Sequence, residues 1–287
     1  MRPHTDKPNK ATQRPEATEA LATGPGAAPG PDGGPASAAT GPAEPTGAPA
    51  GAVQPPASAD ALENHLGGEE AKNYRKYEYD IIAPYVGRSL LEVGSGLGDF
   101  SEEFLPRLDR LVVSDNDPYC LSQLRQRYES DPAVEVLDLA LPMKVPVSKP
   151  VDTVVAMNVL EHIADDVKAL KCLAEATEPG GRIIIWVPGY MQLFGEFDRK
   201  VGHVTRYTPK TLRASVESAG LKPEVVRPIN FVGGVAWWLT VRKRGVTYPD
   251  PKIVKIYDRT VVPVTRMIDK LHPPFGQTVF CVARVPG

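Results

Sequence analysis

The stretch Leu90–Ser101, LLEVGSGLGDFS, restricts what this chain can fold into more than any other segment. An apolar, strand-compatible run (Ser89–Val93) carries one acid, Glu92, and leads into three glycines at alternate positions, Gly94, Gly96 and Gly98. A helix-compatible segment, Asp99–Leu108, follows at once. A turn that tight needs residues without a Cβ, both for unusual backbone angles and so that a ligand can approach the main chain. Strand, glycine turn and helix together describe a nucleotide-type pocket at the carboxyl end of a parallel strand. The dinucleotide fingerprint GxGxxG requires a glycine three residues after the second, and Asp99 stands there instead.

Further βα signals follow in order. Arg110–Val113 is apolar and ends in Ser114-Asp115-Asn116-Asp117, ahead of a helix-like segment from Pro118 to Tyr128. Asp115 stands about where a doubly wound fold places the acid that accepts from ribose hydroxyls, and a carboxylate offers two oxygens for two vicinal hydroxyls. Its competing role is a helix N-cap, which acids also favour. Val134–Leu139 reads as a short strand ending at Asp138, Val151–Ile163 (VDTVVAMNVLEHI) as a strand and loop, and Glu178–Val187 (EPGGRIIIWV) as a turn and strand.

The E-x-G-x-G-x-G turn resembles motif I of the class I S-adenosylmethionine (SAM)-dependent methyltransferases, and VDTVVAMNVLEHI resembles their motif IV. The resemblance covers Tyr74 to Asn230 well and the C-terminal part more loosely. It implies an α/β, Rossmann-like seven-stranded sheet with helices on both faces and a last strand antiparallel to the others. It implies SAM as cofactor, held by Tyr74, Glu92, Gly94, Ser95, Gly96, Gly98, Asp115, Asn116, Asp138, Leu139 and Asn158. SAM has no pyrophosphate; its amino-acid tail, sulfonium and ribose make an acid beside the turn electrostatically sensible.

Composition sets the domain plan. Residues 1–60 hold 12 of the 30 prolines, eight glycines and no aromatic residue. Such a segment cannot bury enough apolar surface to offset its chain entropy and is expected to be disordered; it has the features of neither a signal nor a transit peptide. Its Ala/Pro/Gly bias points to a GC-rich bacterial source. Residues 61–287 suffice for one core, and no run is long and apolar enough for a membrane span. Cys120, Cys172 and Cys281 are widely spaced in apolar patterns, which reads as reduced thiols of a cytoplasmic protein with no metal site. Residues 61–287 carry 29 charges of each sign, which argues against a nucleic-acid partner.

Strands are expected near 89–93, 110–115, 134–138, 151–157, 181–187, 223–229 and 277–285. Helices are expected within 61–86 and near 99–107, 118–129, 165–177 and 209–219, the last capped by Thr208 with Pro209 at N1 and stopped by Gly220.

Two segments exceed this plan and are candidates for holding the acceptor. Residues 188–207 (PGYMQLFGEFDRKVGHVTRY) follow strand five and so face the pocket mouth. They resemble a GEFDR…GHxxRYT pattern of a bacterial methyltransferase subgroup, and Phe194, Glu196, Arg206 and Tyr207 are the candidate substrate contacts. Residues 230–274 form an insertion before the last strand, a candidate lid or interface. It holds Gly233-Gly234, Trp237-Trp238, the basic run Arg242-Lys243-Arg244 and a helix-like stretch, Lys252–Leu271. Tryptophans beside arginines also mark a candidate peripheral membrane contact, although core packing of at least one tryptophan is the commoner outcome.

Methyl transfer asks the protein for alignment and exclusion of water, and an oxygen nucleophile also needs a group to take its proton. His203, in the acceptor loop, and His162, after strand four, are the candidate catalytic residues. Asn158-Val159-Leu160-Glu161 stands where many amino-group methyltransferases carry Asn/Asp-Pro-Pro-Tyr/Phe, so oxygen of a small-molecule or lipid-linked acceptor is the expected target. Two other readings stay open at this stage: a SAM-binding scaffold or regulator without turnover, and an NAD-type oxidoreductase. The oligomeric state is not legible.

Overall fold

A computed structural model describes residues 71–242 and 251–287. The expected tail (1–60), the start of the N-terminal helix and Lys243-Arg244 lie outside the described residues. The chain order is α1 (Lys72–Ile82), β1 (Ser89–Val93), α2 (Asp99–Glu102), β2 (Arg110–Asp115), α3 (Pro118–Arg127), β3 (Val134–Asp138), β4 (Val151–Met157), α4 (Asp166–Glu175), β5 (Thr177–Pro188), α5 (Glu196–Lys200), α6 (Pro209–Ser218), β6 (Lys222–Ile229), α7 (Phe231–Trp237), α8 (Pro251–Ile256), α9 (Val262–Ile268) and β7 (Thr278–Arg284).

The seven strands form one sheet in the order β3-β2-β1-β4-β5-β7-β6. β1 pairs in parallel with β2 on one side and β4 on the other, so the sheet reverses its winding between β1 and β4. That reversal opens a crevice beyond the carboxyl ends of these two strands. β7 lies antiparallel between β5 and β6. The inner strands are almost continuously apolar because helices cover both faces. Successive residues alternate between two cores. Leu91, Val93, Val154, Ala156, Ile183 and Ile185 pack with Leu170 and Leu173 of α4 and Leu212 and Val216 of α6. Leu90, Val155, Ile184 and Trp186 pack with Tyr77 and Ile82 of α1 and Leu124 of α3. The three cysteines are free thiols, Cys120 and Cys281 buried and Cys172 half-buried.

Helix ends follow local chemistry. The Thr208 side chain accepts from the Thr211 amide at 3.1 Å, Pro209 occupies the first turn, and Gly220 takes a φ of 81° just beyond the end. The helix expected over 99–107 stops at Glu102, and Leu105–Arg107 forms a separate 3-10 turn; Pro106 has no amide to donate and disfavours helical geometry before it. β5 starts at Thr177, four residues before the expected 181, because Thr177 pairs with Val151 ahead of a kink at Gly180, φ 77°. The segment 188–207 is ordered by a 3-10 turn, Met191–Leu193, and by α5.

The insertion is helical among its described residues. α7 continues as a π turn over Trp238–Arg242, and α8 runs through a π turn (Tyr257–Val261) into α9. It is fastened to α1. Ala71 cannot cap α1, so Asp258 does it from afar, accepting from the amides of Asn73 at 3.1 Å and Tyr74 at 2.8 Å. Asp269 accepts from the Asn230 amide at 2.6 Å and from the Tyr77 hydroxyl. Asn230, at φ 59°, caps α7 by accepting from the Gly233 amide at 3.0 Å and donates to Gln277 ahead of β7 at 2.8 Å. Among the described residues no helix is long and apolar enough to cross a membrane.

Candidate active site

A cavity of about 390 Å3 lies at the carboxyl ends of β1 and β4, within the range of small-molecule sites. Glu92, Gly94, Ser95, Leu97, Asp99 and Phe100 come from β1, the glycine turn and α2; Met157 and Asn158 come from the end of β4. Tyr74, Arg75 and Glu78 of α1 form another wall, and Asn230, Val254, Tyr257, Asp258 and Gln277 complete it. Five of the expected cofactor residues therefore meet here: Tyr74, Glu92, Gly94, Ser95 and Asn158.

The turn is built to bring backbone to the cavity. Gly94, Gly96 and Gly98 all have positive φ, at 71°, 57° and 86°. A Cβ on Gly94 would come within 2.9 Å of the Val159 side chain. Ser95 ties β1 to β2: its amide donates to the Ser114 carbonyl at 2.8 Å, and its hydroxyl accepts from the Ser114 amide at 3.0 Å. Glu92 is buried, with its carboxylate accepting from Ser101. Burial pushes its pKa from about 4.5 up to about 7 against that hydrogen bond. Burial likewise pushes Glu78 up to about 8, with Arg75 pulling it down.

Gly96, Gly98, Asp115, Asn116, Asp138 and Leu139 do not line this cavity; they lie in the glycine turn and at the carboxyl ends of β2 and β3. Asp115 and Asp138 are register partners at the ends of β2 and β3. Asp117, not Asp115, is the N-cap of α3, accepting from the Cys120 amide at 3.0 Å, which removes the competing role for Asp115. Asp115 Oδ1 accepts from the amides of Asn116 and Asp117, and Oδ2 from Gly96 at 2.9 Å. A carboxylate has about four lone-pair sites, so one remains on Oδ2, room for one hydroxyl where two oxygens are expected from the sequence.

The acceptor-side residues gather under the loop between β5 and α6, outside the cavity lining. His203 Nδ1 lies 2.8 Å from Asp198 Oδ1. Arg206 donates from Nε to the same oxygen at 2.7 Å and from Nη1 to the Gly189 carbonyl at 3.3 Å. Asp198 is held at about 2, its burial outweighed by hydrogen bonds from His203 and Arg206. The guanidinium also sits over the Trp237 ring, 5.2 Å from its centroid. Arg206 is thus buried and braces the loop. Tyr207 is buried too, donating its hydroxyl to the Leu160 carbonyl at 3.2 Å and to Asp166 at 3.0 Å. Phe194 and Glu196 contact Arg199. The His162 and His203 rings stack edge to face at 4.7 Å. Glu161, fully buried, places Oε1 3.8 Å from His203 Nε2, and burial pushes its pKa up to about 8.

Sequence reasoning missed Glu78, Asn230, Tyr257, Asp258 and Gln277 in the cavity wall and Glu161 beneath the loop. Asn230 alone carries a local signal, an N-cap residue three positions before Gly233; the others reach the site through long-range packing.

Dinucleotide-binding sheets run 3-2-1-4-5-6; the reversed β7 between β5 and β6 sets this sheet apart and defines it as the class I SAM-dependent methyltransferase fold. The chain belongs to the methyltransferase domain family, whose model matches residues 66–226, more than half of its length. An uncharacterized methyltransferase of Mycobacterium leprae is 26% identical over 170 residues, 54% of this chain and 59% of that one. The tRNA U34 carboxymethyltransferase of Syntrophotalea carbinolica is 33% identical over 108 residues, 36% and 33% of the two chains. A 37.1 kDa protein of transposon TN4556 from Streptomyces fradiae is 26% identical over 169 residues, 56% and 48%. The chain thus spans between a third and three fifths of these relatives. Among solved structures, a chain of the complex between the Haloferax volcanii Trm112 methyltransferase activator and a methyltransferase superposes with TM-score 0.54 at 18% identity, covering 79% of this chain and 94% of that one. A SAM-dependent methyltransferase from Clostridium acetobutylicum gives 0.50 at 10% identity, covering 76% and 92%.

SAM is the cofactor of this family, and the residues present fit it. Four acids against one arginine line the cavity among the described residues, which suits a ligand carrying an ammonium and a sulfonium, and the Gly94 cradle would be filled by any Cβ.

Proposed function

We propose that this chain transfers a methyl group from SAM to an oxygen of a small-molecule or lipid-linked acceptor. The observation that carries the reading is that the acid-lined cavity and the Glu161–His203–Asp198 cluster lie on the loops that follow the neighbouring strands β1, β4 and β5. The cofactor, when bound, supplies a methyl made electrophilic by its sulfonium. Glu92 and Glu78 face its cationic end, Asp115 takes a ribose hydroxyl on Oδ2, and Asp138 with Leu139 borders the adenine. Because Asp198 accepts from Nδ1–H, the His203 lone pair resides on Nε2, on the side away from Asp198. That nitrogen is placed to orient the acceptor and take its proton. Arg206, Tyr207 and Trp237 position the loop that carries it.

Exposed apolar side chains on the insertion, Trp238, Leu239, Ile253 and Ile256, support a lipid-linked acceptor. The test begins with calorimetric titration of the chain with SAM and its demethylated product, NADH serving as control. Micromolar binding of both sulfur ligands, lost in Asp115→Ala, followed by methylated product from an acceptor screen, supports the reading. Binding of SAM without product from any hydroxylated acceptor points to the scaffold role, and binding of NADH alone overturns the assignment.

A further inference from the structure

Reading for cysteine spacing gives no metal site, yet the fold assembles a different ligand set from two loops some forty residues apart. One ligand atom each from Glu161, His162 and His203 lie within 4.8 Å of one another. Glu161 has no exposed surface, and among the described residues neither of its carboxylate oxygens has a hydrogen-bond partner. A buried carboxylate without a partner is costly unless a charge or a metal meets it. The nearby cation, Arg206, directs its Nε to Asp198 and its Nη1 to the Gly189 carbonyl. Opposite Glu161, His203 presents Nε2, the nitrogen that keeps its lone pair once Nδ1–H is donated to Asp198 at 2.8 Å. Two lone-pair donors thus face each other across 3.8 Å. Two ligands on one tetrahedral ion are separated by about 3.4 Å for bonds near 2.1 Å, so the Glu161–His203 pair closes with a shift of a few tenths of an ångström, and the three atoms, within 4.8 Å of one another, close with rotations of the two imidazoles of about an ångström. The Asp198–His203 hydrogen bond is also the outer-shell arrangement that metal-bound histidines use to fix tautomer and orientation.

We infer that Glu161, His162 and His203 form a binding site for a divalent transition-metal ion such as Zn2+, with one coordination position left for water or an acceptor oxygen. One carboxylate and two imidazoles suit borderline ions over Mg2+ or Ca2+, which prefer oxygen alone. Three protein ligands with an open position is the pattern of sites that handle a substrate oxygen and not of closed structural ones. The ion would pin the 188–207 loop to the turn after β4. While bound, the ion would occupy Nε2 and act as a Lewis acid on an acceptor hydroxyl, so that His203 serves as proton acceptor in the metal-free chain only. The inference rests on the ligand geometry and not on the identity of the methyl acceptor.

Metal binding is read without turnover. The full chain, free of affinity tag and stripped by chelation, is titrated calorimetrically with Zn2+ and, in parallel, with Co2+ followed by visible absorption. One Zn2+ per chain is expected, weakened on the order of 100-fold or more in Glu161→Gln and His203→Gln and by roughly 10–100-fold in Asp198→Asn, the range for lost outer-shell partners. Glu217→Gln, an exposed carboxylate of α6, leaves binding unchanged. Circular dichroism confirms that each variant folds; where one does not, the Co2+ spectrum of the unaltered chain decides, a ligand-field band in the visible supporting the site. No Zn2+ bound by the unaltered chain, or equal binding in the Glu161 and His203 variants as the remaining histidines would give, overturns the inference.

Discussion

Glu92 shows how a single buried carboxylate couples the fold to its ligand. Burial raises its pKa to about 7, and Glu78 across the cavity reaches about 8, whereas both would ionise near 4.3 in the unfolded chain. Between those values the ligand-free fold holds protons that the unfolded chain has lost, so its stability falls as pH rises from about 4.5 to 8. A cationic ligand favours the carboxylates. SAM binding therefore releases protons, and its affinity rises with pH to a plateau above about 8, weakening roughly tenfold per unit of pH below each pKa. Calorimetry in buffers of different ionisation enthalpy measures the proton release; Glu92→Gln should flatten the profile near neutrality, and an unchanged profile would remove Glu92 from the cationic contact. Gly94→Ala should weaken SAM binding by forcing both the left-handed backbone and the contact with Val159, with little effect on the α6 cap or other remote features. His203→Ala, read in the same assays, should lower turnover by about 10²–10⁴, the range of a lost acid–base group, while SAM affinity stays unchanged; equal loss of both would assign the residue to loop structure instead.

At the scale of elements, the clearest dependence is that of α1 on the insertion. An N-terminal cap is normally local, yet here Asp258 supplies it from 184 residues away. Asp258→Ala should destabilise the chain by about 1–2 kcal/mol, and hydrogen exchange should quicken first at Asn73 and Tyr74. Because Tyr74, Glu78, Tyr257 and Asp258 all line the cavity, the same change should also reduce SAM affinity; stability loss without affinity loss would separate α1 from the site. This long-range cap marks the limit of what the sequence discloses. β2 and β4 are legible to the residue because their apolar stretches, Leu111–Val113 and Val154–Met157, stop at polar residues, Ser114 and Asn158, and α6 is legible because Thr208, Pro209 and Gly220 each act locally. The extent of α2 is not, since Pro106 overrides a pattern that otherwise reads as helix. In the site, the glycine turn and Asp115 are visible because their chemistry is written in adjacent residues. Glu161 hides in a common Glu-His pair, and the seating of Arg206 against Asp198 and Trp237 is not visible in its spacing. Spacing shows which residues share a loop, while pairing within the loop is decided by packing.

For the whole molecule, the question is what the exposed apolar side chains of the insertion meet. Trp238, Leu239, Ile253, Ile256, Met267 and Leu271 are all exposed, Leu271 at 81%, on consecutive helices that adjoin the cavity wall through Val254 and Tyr257. Scattered exposed apolar residues are ordinary; their concentration on one inserted segment beside a ligand site is what an apolar acceptor or a lipid surface would use. Residues 61–287 carry equal numbers of positive and negative charges, so long-range attraction to anionic lipid is weak and insertion of apolar side chains must dominate. Co-sedimentation with vesicles should therefore occur with neutral as well as anionic lipid and decline only modestly as salt is raised. Replacing Trp238 and Leu239 together by serine should abolish it while SAM binding stays intact, since neither residue lines the cavity. Binding to anionic vesicles alone, lost in high salt, would shift the contact to the basic run at Arg242–Arg244. Absence of binding to both would leave the apolar side chains without a lipid role and restrict the acceptor to molecules that reach the cavity mouth through water.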